Sequence, residues 1–595
     1  MLKKDQCWRC DTICSSPSPK IPCSRCGVAS YCSDECKHSD VFRHQVDCQT
    51  AALKRRCSGC GKEKTGLKSC GSCGQVWYCD KECQKKSWPT HKAPCQLIST
   101  KTEELSRKLK SVYDFKKRIP SLGTVYYWGN TPAVDLINLP LNEGCHYSNP
   151  LSVLACGVGD PRNVVLSLSQ LPCDYKEELT FVLNDISACV MARTVLILYM
   201  LIKGGDQIAS SVTQMWYSLR LSEDDHQLVI STLQELIQAS SLEELTKGTM
   251  KIEQDQLHKL VQVWRTWLDL SSRKGNWITE ARRRKFESDP GSQDGIDFYL
   301  KEIPKEHKES SSDWFANGIL LPKVSRKGLT RENFTLTGNL DIFNRNEGPF
   351  SFTYIMNPSV IPFISWDYKD VKRFSYSASI LNMYSQYVGH LLKKCAMTLA
   401  TGQVKFHFLL CNCMEMTPFL PPDRKYDRVT TSNIADYVPL TSILDMSKPL
   451  LNTVNPSAVI ITEFLNWHDH ASLNLKKQLL FFQMVMSQSF RQKVLEDTQN
   501  PAIAYSEGRV GFMEYHDNSE ELVQFLRAAL LVSEVPDERN RRRTWKSVAD
   551  YNGLIARNFL RCQNQVFPAK WMNNCRRVTM LSGFERAVEW IINPK

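Results

Sequence analysis

From about residue 120 onward, apolar and polar positions alternate in a way that predicts strands and helices in turn. The segment TVYYWGNTPAVDLINLP leads into SVLACGVGDPRNVVLSLSQL and then LTFVLNDISACVMARTVLIL, which reads as strand, turn, helix, strand, turn, helix. Ser152 to Cys156 is a short apolar run that ends in a glycine turn, and Pro161 sits where a helix can begin. Phe181 to Leu183 is a second apolar run, closed by Asn184 and Asp185 before another helical stretch. Two strand–helix units in succession predict a parallel sheet with helices on its faces. The pattern resumes far downstream in VKFHFLLCNC, DRVTTSNIADY, a helical stretch around Leu440 to Leu451, and SAVIITEFLNW, adding three strands. Between the two halves, LHKLVQVWRTWLDLSSR places Trp264 and Trp267 on one helical face, as core residues, within a helical insertion or lid. The run KEHKESSSDW is expected to be an exposed loop, and His468, Asp469 and His470 a polar loop after the fifth strand.

The first hundred residues follow another logic. Of 24 cysteines in 595 residues, 15 lie in the first 95 positions, mostly in CxxC pairs. The opening MLKKDQCWRC has no apolar segment behind its charges, so no secretory signal is expected and the chain is placed inside the cell, in cytoplasm or nucleus. Leu179 to Ile202 is interrupted by Asp185 and Arg193, so no membrane crossing is expected. In such a compartment, clustered cysteines point to metal or redox chemistry more than to disulfides.

Spacing sharpens this. The first segment reads Cys7-x2-Cys10, Cys23-x2-Cys26, Cys32-x3-Cys36, His44-x3-Cys48. The second reads Cys57-x2-Cys60, Cys70-x2-Cys73, Cys79-x3-Cys83, His91-x3-Cys95, an internal repeat. Each CxxC turn brings two thiolates to one metal, and ligands four apart share a helical face, so eight ligands per segment make two tetrahedral sites. Four protein ligands per site leave no place for water, which predicts structural zinc, four ions per chain. Metal here substitutes for a hydrophobic core that about 40 residues cannot build alone. Cys14 and His38 fall outside the register, and an alternative pairing through Cys14 stays open.

The ligand order resembles the MYND family of zinc fingers. That resemblance implies interleaved sites: Cys7, Cys10, Cys32 and Cys36; Cys23, Cys26, His44 and Cys48; Cys57, Cys60, Cys79 and Cys83; Cys70, Cys73, His91 and Cys95. It also implies a peptide groove, because proline-binding members carry Gln directly after the sixth ligand and Trp four residues later. Gln84 and Trp88 stand there in the second finger, against Lys37 and Val41 in the first. An aromatic groove holds a proline-containing peptide well, since that peptide loses little entropy on binding. Packing of Trp88 into the small interior of the finger is the other option, and both can hold at once.

Charge alters the picture little. The formal +12 falls to about +6 once 14 thiolates are set against four zinc ions, and the basic clusters Arg282 to Lys285 and Arg539 to Arg543 are taken as solvated. Nucleic acid is therefore not expected as a partner. A partner protein recognised through a short peptide motif is.

The body resembles the nucleotide-binding fold of class I methyltransferases. That resemblance implies that Gly157 and Gly159 meet the methionine part of S-adenosylmethionine, and that Asp185 binds its ribose. In VLACGVGDPRN the strand lacks its usual acid and the turn its third glycine. The segment also resembles an uncharacterised domain found beside MYND fingers and at the N-terminus of dynein axonemal assembly factor 3. WGNTPAVDL, GDPRN and FVLNDI carry this likeness, through Trp128, Gly129, Asp160, Arg162, Asn184 and Asp185. The motif of SET-type lysine methyltransferases is absent.

Together these features predict small zinc-stabilised fingers plus a large α/β domain, Rossmann-like, with a mostly parallel sheet split by a long helical insertion. The expected divisions are fingers at 1–50 and 51–100, a connector at 101–118, half-domains at 119–205 and 398–595, and the insertion at 206–397. The expected function is that of an interaction scaffold whose fingers recruit a partner peptide. The competing expectation is an S-adenosylmethionine-dependent methyltransferase.

Overall fold

The computed structural model describes residues 21–24, 30–39, 55–64, 67–70, 73, 76–118, 125–339, 352–357, 360–421, 423–470, 519–532, 551–557, 564–568, 578–579, 581 and 584–593. Its centre is an eight-stranded sheet. The strands are β1 (Leu151–Cys156), β2 (Leu179–Asp185), β3 (Met250–Ile252), β4 (Val404–Leu410), β5 (Arg428–Thr430), β6 (Val459–Phe464), β7 (Leu554–Ala556) and β8 (Arg586–Ile592). Their spatial order is β3-β4-β2-β1-β5-β6-β8-β7. All neighbours from β3 through β6 are parallel, while β8 runs antiparallel to both β6 and β7.

Both faces of this sheet are covered, which is why its strands read as nearly continuous apolar runs. Within them the two-residue period persists. Leu151, Val153 and Ala155 of β1 enter one core with Phe181, Leu183, Phe406 and Phe408, whereas Leu154 and Cys156 enter a second core with Val182, Leu409 and Ile460. Register places Phe181 opposite Phe406, and the two rings stack 5.9 Å apart.

The first core takes the helices on one face: α2 (Arg162–Gln170), α3 (Ala188–Gly204), α4 (Gln254–Ser271) and α5 (Ile380–Leu399). Trp264 and Trp267 of α4 are fully buried there, their indole N–H groups donating to the carbonyls of Ala192 and Thr337. The region 206–397 thus shares the main core, and it supplies the edge strand β3, paired with β4. β3 is three residues long, too short for periodicity to reveal it.

The second core takes α6 (Leu440–Ser447), α7 (Ser519–Leu531) and the far end of α1 (Lys81–Arg118), the helix that leaves the second finger. The stretch Ala188–Tyr217 is long and apolar enough to cross a membrane by length and composition, but 78% of its window is buried within the fold. Arg193 within it is buried too, donating to the carbonyls of Tyr127, Met215 and Trp216.

One expectation is corrected. KEHKESSSDW is no exposed loop but a 3-10 turn at Lys305–His307 followed by a helix at Lys308–Asn317. It is anchored by buried His307, Ser311 and Trp314, with the His307 ring bonded to the Ala378 carbonyl and the Tyr368 hydroxyl. The polar run conceals a helical face on which these three residues are four and three apart.

Candidate functional site

The second finger is built on two short ribbons and one helix. Arg55–Arg56 pairs with Glu63–Lys64, and Lys68–Ser69 with Trp77–Tyr78, each antiparallel. The turn after the first strand closes through Gly61 N–H to the Cys57 carbonyl at 2.8 Å, and Gly61 takes the left-handed conformation this needs. Asp80 then starts the long helix Lys81–Arg118, its carboxylate accepting from Cys83 N–H at 2.8 Å. Gly59 lies so close to this helix start that a Cβ there would fall 2.3 Å from the Cys83 carbonyl oxygen. Only glycine lets the first CxxC turn reach the third ligand pair.

This assembly brings together two tetrads. Cys57, Cys60, Cys79 and Cys83 form one, and Cys70, Cys73, His91 and Cys95 the other, with all donor atoms of each within 4.8 Å of one another. Cys60 and Cys79 sulfurs are 3.7 Å apart, Cys70 and Cys95 sulfurs 3.8 Å, and Cys73 sulfur lies 3.4 Å from His91 Nε2. A tetrahedral zinc with Zn–S bonds of about 2.3 Å has sulfur–sulfur edges of about 3.8 Å, so the donor sets fit that ion. The grouping interleaves the ligand pairs, first with third and second with fourth.

Electrostatics inside the first tetrad point the same way. Loss of hydration opposes the Cys57 thiolate, yet the backbone N–H groups of Cys60, Cys79 and Gly59 outweigh it and hold that thiol at about 6. Cys83 is pushed up to about 12, by loss of hydration first and then by Cys57, Cys60 and Asp80. Thiols crowded in this way do not ionise together unaided, and a divalent cation removes the obstacle.

Gln84 and Trp88 lie one helical turn apart on Lys81–Arg118, both reachable from solvent, with Trp88 39% exposed. One edge of Trp88 nevertheless packs on the His91 ring at 5.9 Å, and Tyr78 meets the same ring at 6.2 Å. Trp88 therefore both supports the finger and offers a surface.

In the first finger, a ribbon Ile21–Pro22 with Ser30–Tyr31 precedes a helix Asp34–Ser39. Cys23 and Cys32 are partly buried, and Cys36 lies in the helix. Cys7, Cys10, Cys26, His44 and Cys48 lie outside the described residues, as does Cys14.

The body carries a crevice of about 240 Å³ at the carboxyl ends of its central strands, lined in part by Tyr126, Gly129, Gly157, Gly159, Asp185 and Asn433. It sits between β1 and β5, where the strand order reverses. Gly157 and Gly159 both have positive φ, and Gly159 has open space where a Cβ would point. Asp185 is engaged from both sides: one oxygen accepts from Gly159 N–H at 3.0 Å, the other from Ser187 N–H at 2.9 Å. Burial raises its pKa, against the pull of those backbone donors.

WGNTPAVDL and GDPRN meet beside this crevice. Asp160 pairs with Arg162 at 2.6 Å and accepts from Gly129 N–H, while Arg162 also donates to the carbonyl and hydroxyl of Thr131. A Cβ on Gly129 would lie 2.1 Å from the Arg162 guanidinium, which explains the glycine. Asn184 donates to the Leu409 and Cys411 carbonyls, tying β2 to β4. Glu463, at the end of β6, is pushed up to about 7 by burial, although Arg162 pulls it down. His468 stacks on Phe584, 4.1 Å between ring centres.

Arg527 of α7 reaches the finger itself: its guanidinium, buried, donates to the Cys73 carbonyl. A lone arginine within the apolar run LVQFLRAALLV was the only sequence signal for it.

No curated protein and no solved structure matches the chain. Two family models do: the MYND finger matches residues 7–48 and 57–95, and a domain of unknown function, DUF4470, matches residues 127–221. The latter spans the linked Gly129, Asp160 and Arg162 as well as Trp128 and Asn184, and the two kinds of module stand in tandem, fingers first.

Proposed function

We propose that this chain is a zinc-dependent protein-interaction scaffold, in which the MYND fingers hold four zinc ions and the second finger captures a proline-containing segment of a partner. The observation that carries this is that exposed Trp88 and half-buried Gln84 lie on the very helix that supplies Cys83, His91 and Cys95. Metal would fix that helix, and the helix would hold the groove. Such a surface gains affinity because a preordered peptide meets a preordered site. The protein would work inside the cell, where thiols stay reduced.

The test uses the full zinc-loaded chain and an array of proline-containing peptides. Binding should fall at least about tenfold in Trp88→Ala and in Gln84→Ala, and stay unchanged in Lys37→Ala. A peptide that binds both second-finger variants as well as the parent would sink the groove assignment.

A second reading has one observation in its favour. In open α/β sheets ligands bind beyond the carboxyl ends of the strands where the strand order reverses, which is where the crevice lies. That position, with its glycine turn, supports a Rossmann-like body that binds S-adenosylmethionine. Against it, the Asp185 carboxylate already serves Gly159 and Ser187, and the crevice is smaller than the roughly 300 Å³ of small ligand pockets. These two facts favour a platform over an enzyme. Calorimetric heat with S-adenosylmethionine that disappears in Asp185→Ala would reverse the order of the two readings.

A further inference from the structure

We propose that Arg527 is the outer-shell partner of the Cys70, Cys73, His91 and Cys95 centre, so that metal bound there latches the second finger onto the body. The proposal rests on the reading of that tetrad as a zinc site. Three observations carry it.

First, the helix Lys81–Arg118 is continuous from finger to body. His91 and Cys95 lie on its buried face, and the same stripe continues through Thr102, Ser106, Leu109 and Tyr113, all buried. Leu109 and Tyr113 belong to the second core of the body, and Tyr113 donates to the Ala435 carbonyl at 3.1 Å. Spacings of three, four and seven keep ligand face and docking face in phase.

Second, α7 packs alongside this helix. Its other buried side chains include Leu522, Phe525, Leu526 and Leu530, and Phe525 meets Phe464 and Trp467 of the body. A guanidinium in such a helix is expensive unless it is matched by charge and hydrogen bonds. Arg527 points at the finger and donates to the carbonyl of the ligand residue Cys73.

Third, the charges are complementary. Zinc held by three thiolates and a neutral imidazole carries a formal −1. One buried arginine balances it. With the metal gone, the turn that presents the Cys73 carbonyl to Arg527 would no longer be held in place. The latch would then loosen at α7.

The test measures zinc release from the full chain to a chromogenic chelator, together with hydrogen exchange over residues 519–532. Cys95→Ser identifies the release phase that belongs to this centre. Arg527→Gln should accelerate that phase about tenfold or more and leave the phase of the Cys57 centre unchanged, whereas Arg527→Lys, which keeps the charge, should recover most of the difference. In the parent chain, stripping the metal should raise exchange over 519–532 while β1 and β2 stay protected. An Arg527→Gln release rate equal to that of the parent would overturn the proposal. So would metal removal with no change at 519–532, an arm that needs no variant to fold. If the parent chain holds no zinc that Cys95→Ser removes, the zinc reading itself fails, and the latch with it.

Discussion

In the second finger the buried apolar cluster consists of Cys70, Cys73, Tyr78 and Cys95, so three of its four members are also candidate metal ligands. In the body, α4 alone contributes Leu257, Leu260, Val263, Trp264, Trp267 and Leu270 to a core that spans both sides of the insertion. The two regions also treat buried charge differently. The finger gathers thiols around two points, where a cation would let them ionise together, whereas the body sets Asp160 against Arg162 and Arg428 against Glu143 at 2.6 and 2.7 Å. The difference teaches where each region is vulnerable: the finger to loss of metal, the body to loss of volume or to a change of protonation.

The largest effect should come from chelation. Structural zinc contributes on the order of 10–16 kcal/mol in finger peptides, as much as the whole stability of a typical small domain. Hydrogen exchange over 57–95 should therefore collapse to unprotected rates, with β1, β2 and β4 unchanged. Equal loss of protection in those strands would erase the distinction between the regions.

Next comes volume. Trp267→Ala should destabilise the body by about 3–5 kcal/mol, read as a lower urea midpoint, with zinc content unaltered. A variant that also lost zinc would mean that the body's core supports the finger's centres.

Smaller, and specific to the body, is the response to pH. Burial raises the Glu463 carboxyl to about 7, from an ordinary value of 4.5. The folded state then binds this proton more tightly than the unfolded state. The stability it contributes is present in full below about pH 4.5 and is lost as pH rises through about 7, at most about 3 kcal/mol. Urea midpoints measured between pH 4.5 and 8 should flatten in Glu463→Gln. A slope unchanged by that substitution would show that the body's acid groups, like the finger's thiols, are fixed by something other than their own burial.

Legibility differed between the regions for related reasons. Metal ligands are read from spacing because CxxC and His-x3-Cys are local: each pair is positioned by one turn. Parallel strands β1, β2, β4, β5 and β6 were legible because sheet burial on both faces demands apolar runs. β3 was not, being three residues of an edge strand. β7 and β8 were missed as well, although the Ala587 to Ile591 run is apolar apart from Glu589. Glu589 breaks the pattern because it accepts from the backbone N–H groups of Gln565, Val566 and Phe567, a role no local window contains.

By itself, the chain's order of residues determined the candidate ligand pairs of the second finger, the repeat of the finger spacing, the parallel strands of the body and the glycine turn after β1, since each depends on neighbours a few positions apart. Tertiary structure alone decided that Asp185 would hold Gly159 and Ser187, that 206–397 would share the main core, and that Arg527 would meet Cys73 across 454 positions. Those outcomes depend on which surfaces meet when helices are laid on a sheet. Periodicity states which face of an element is buried, but not what buries it.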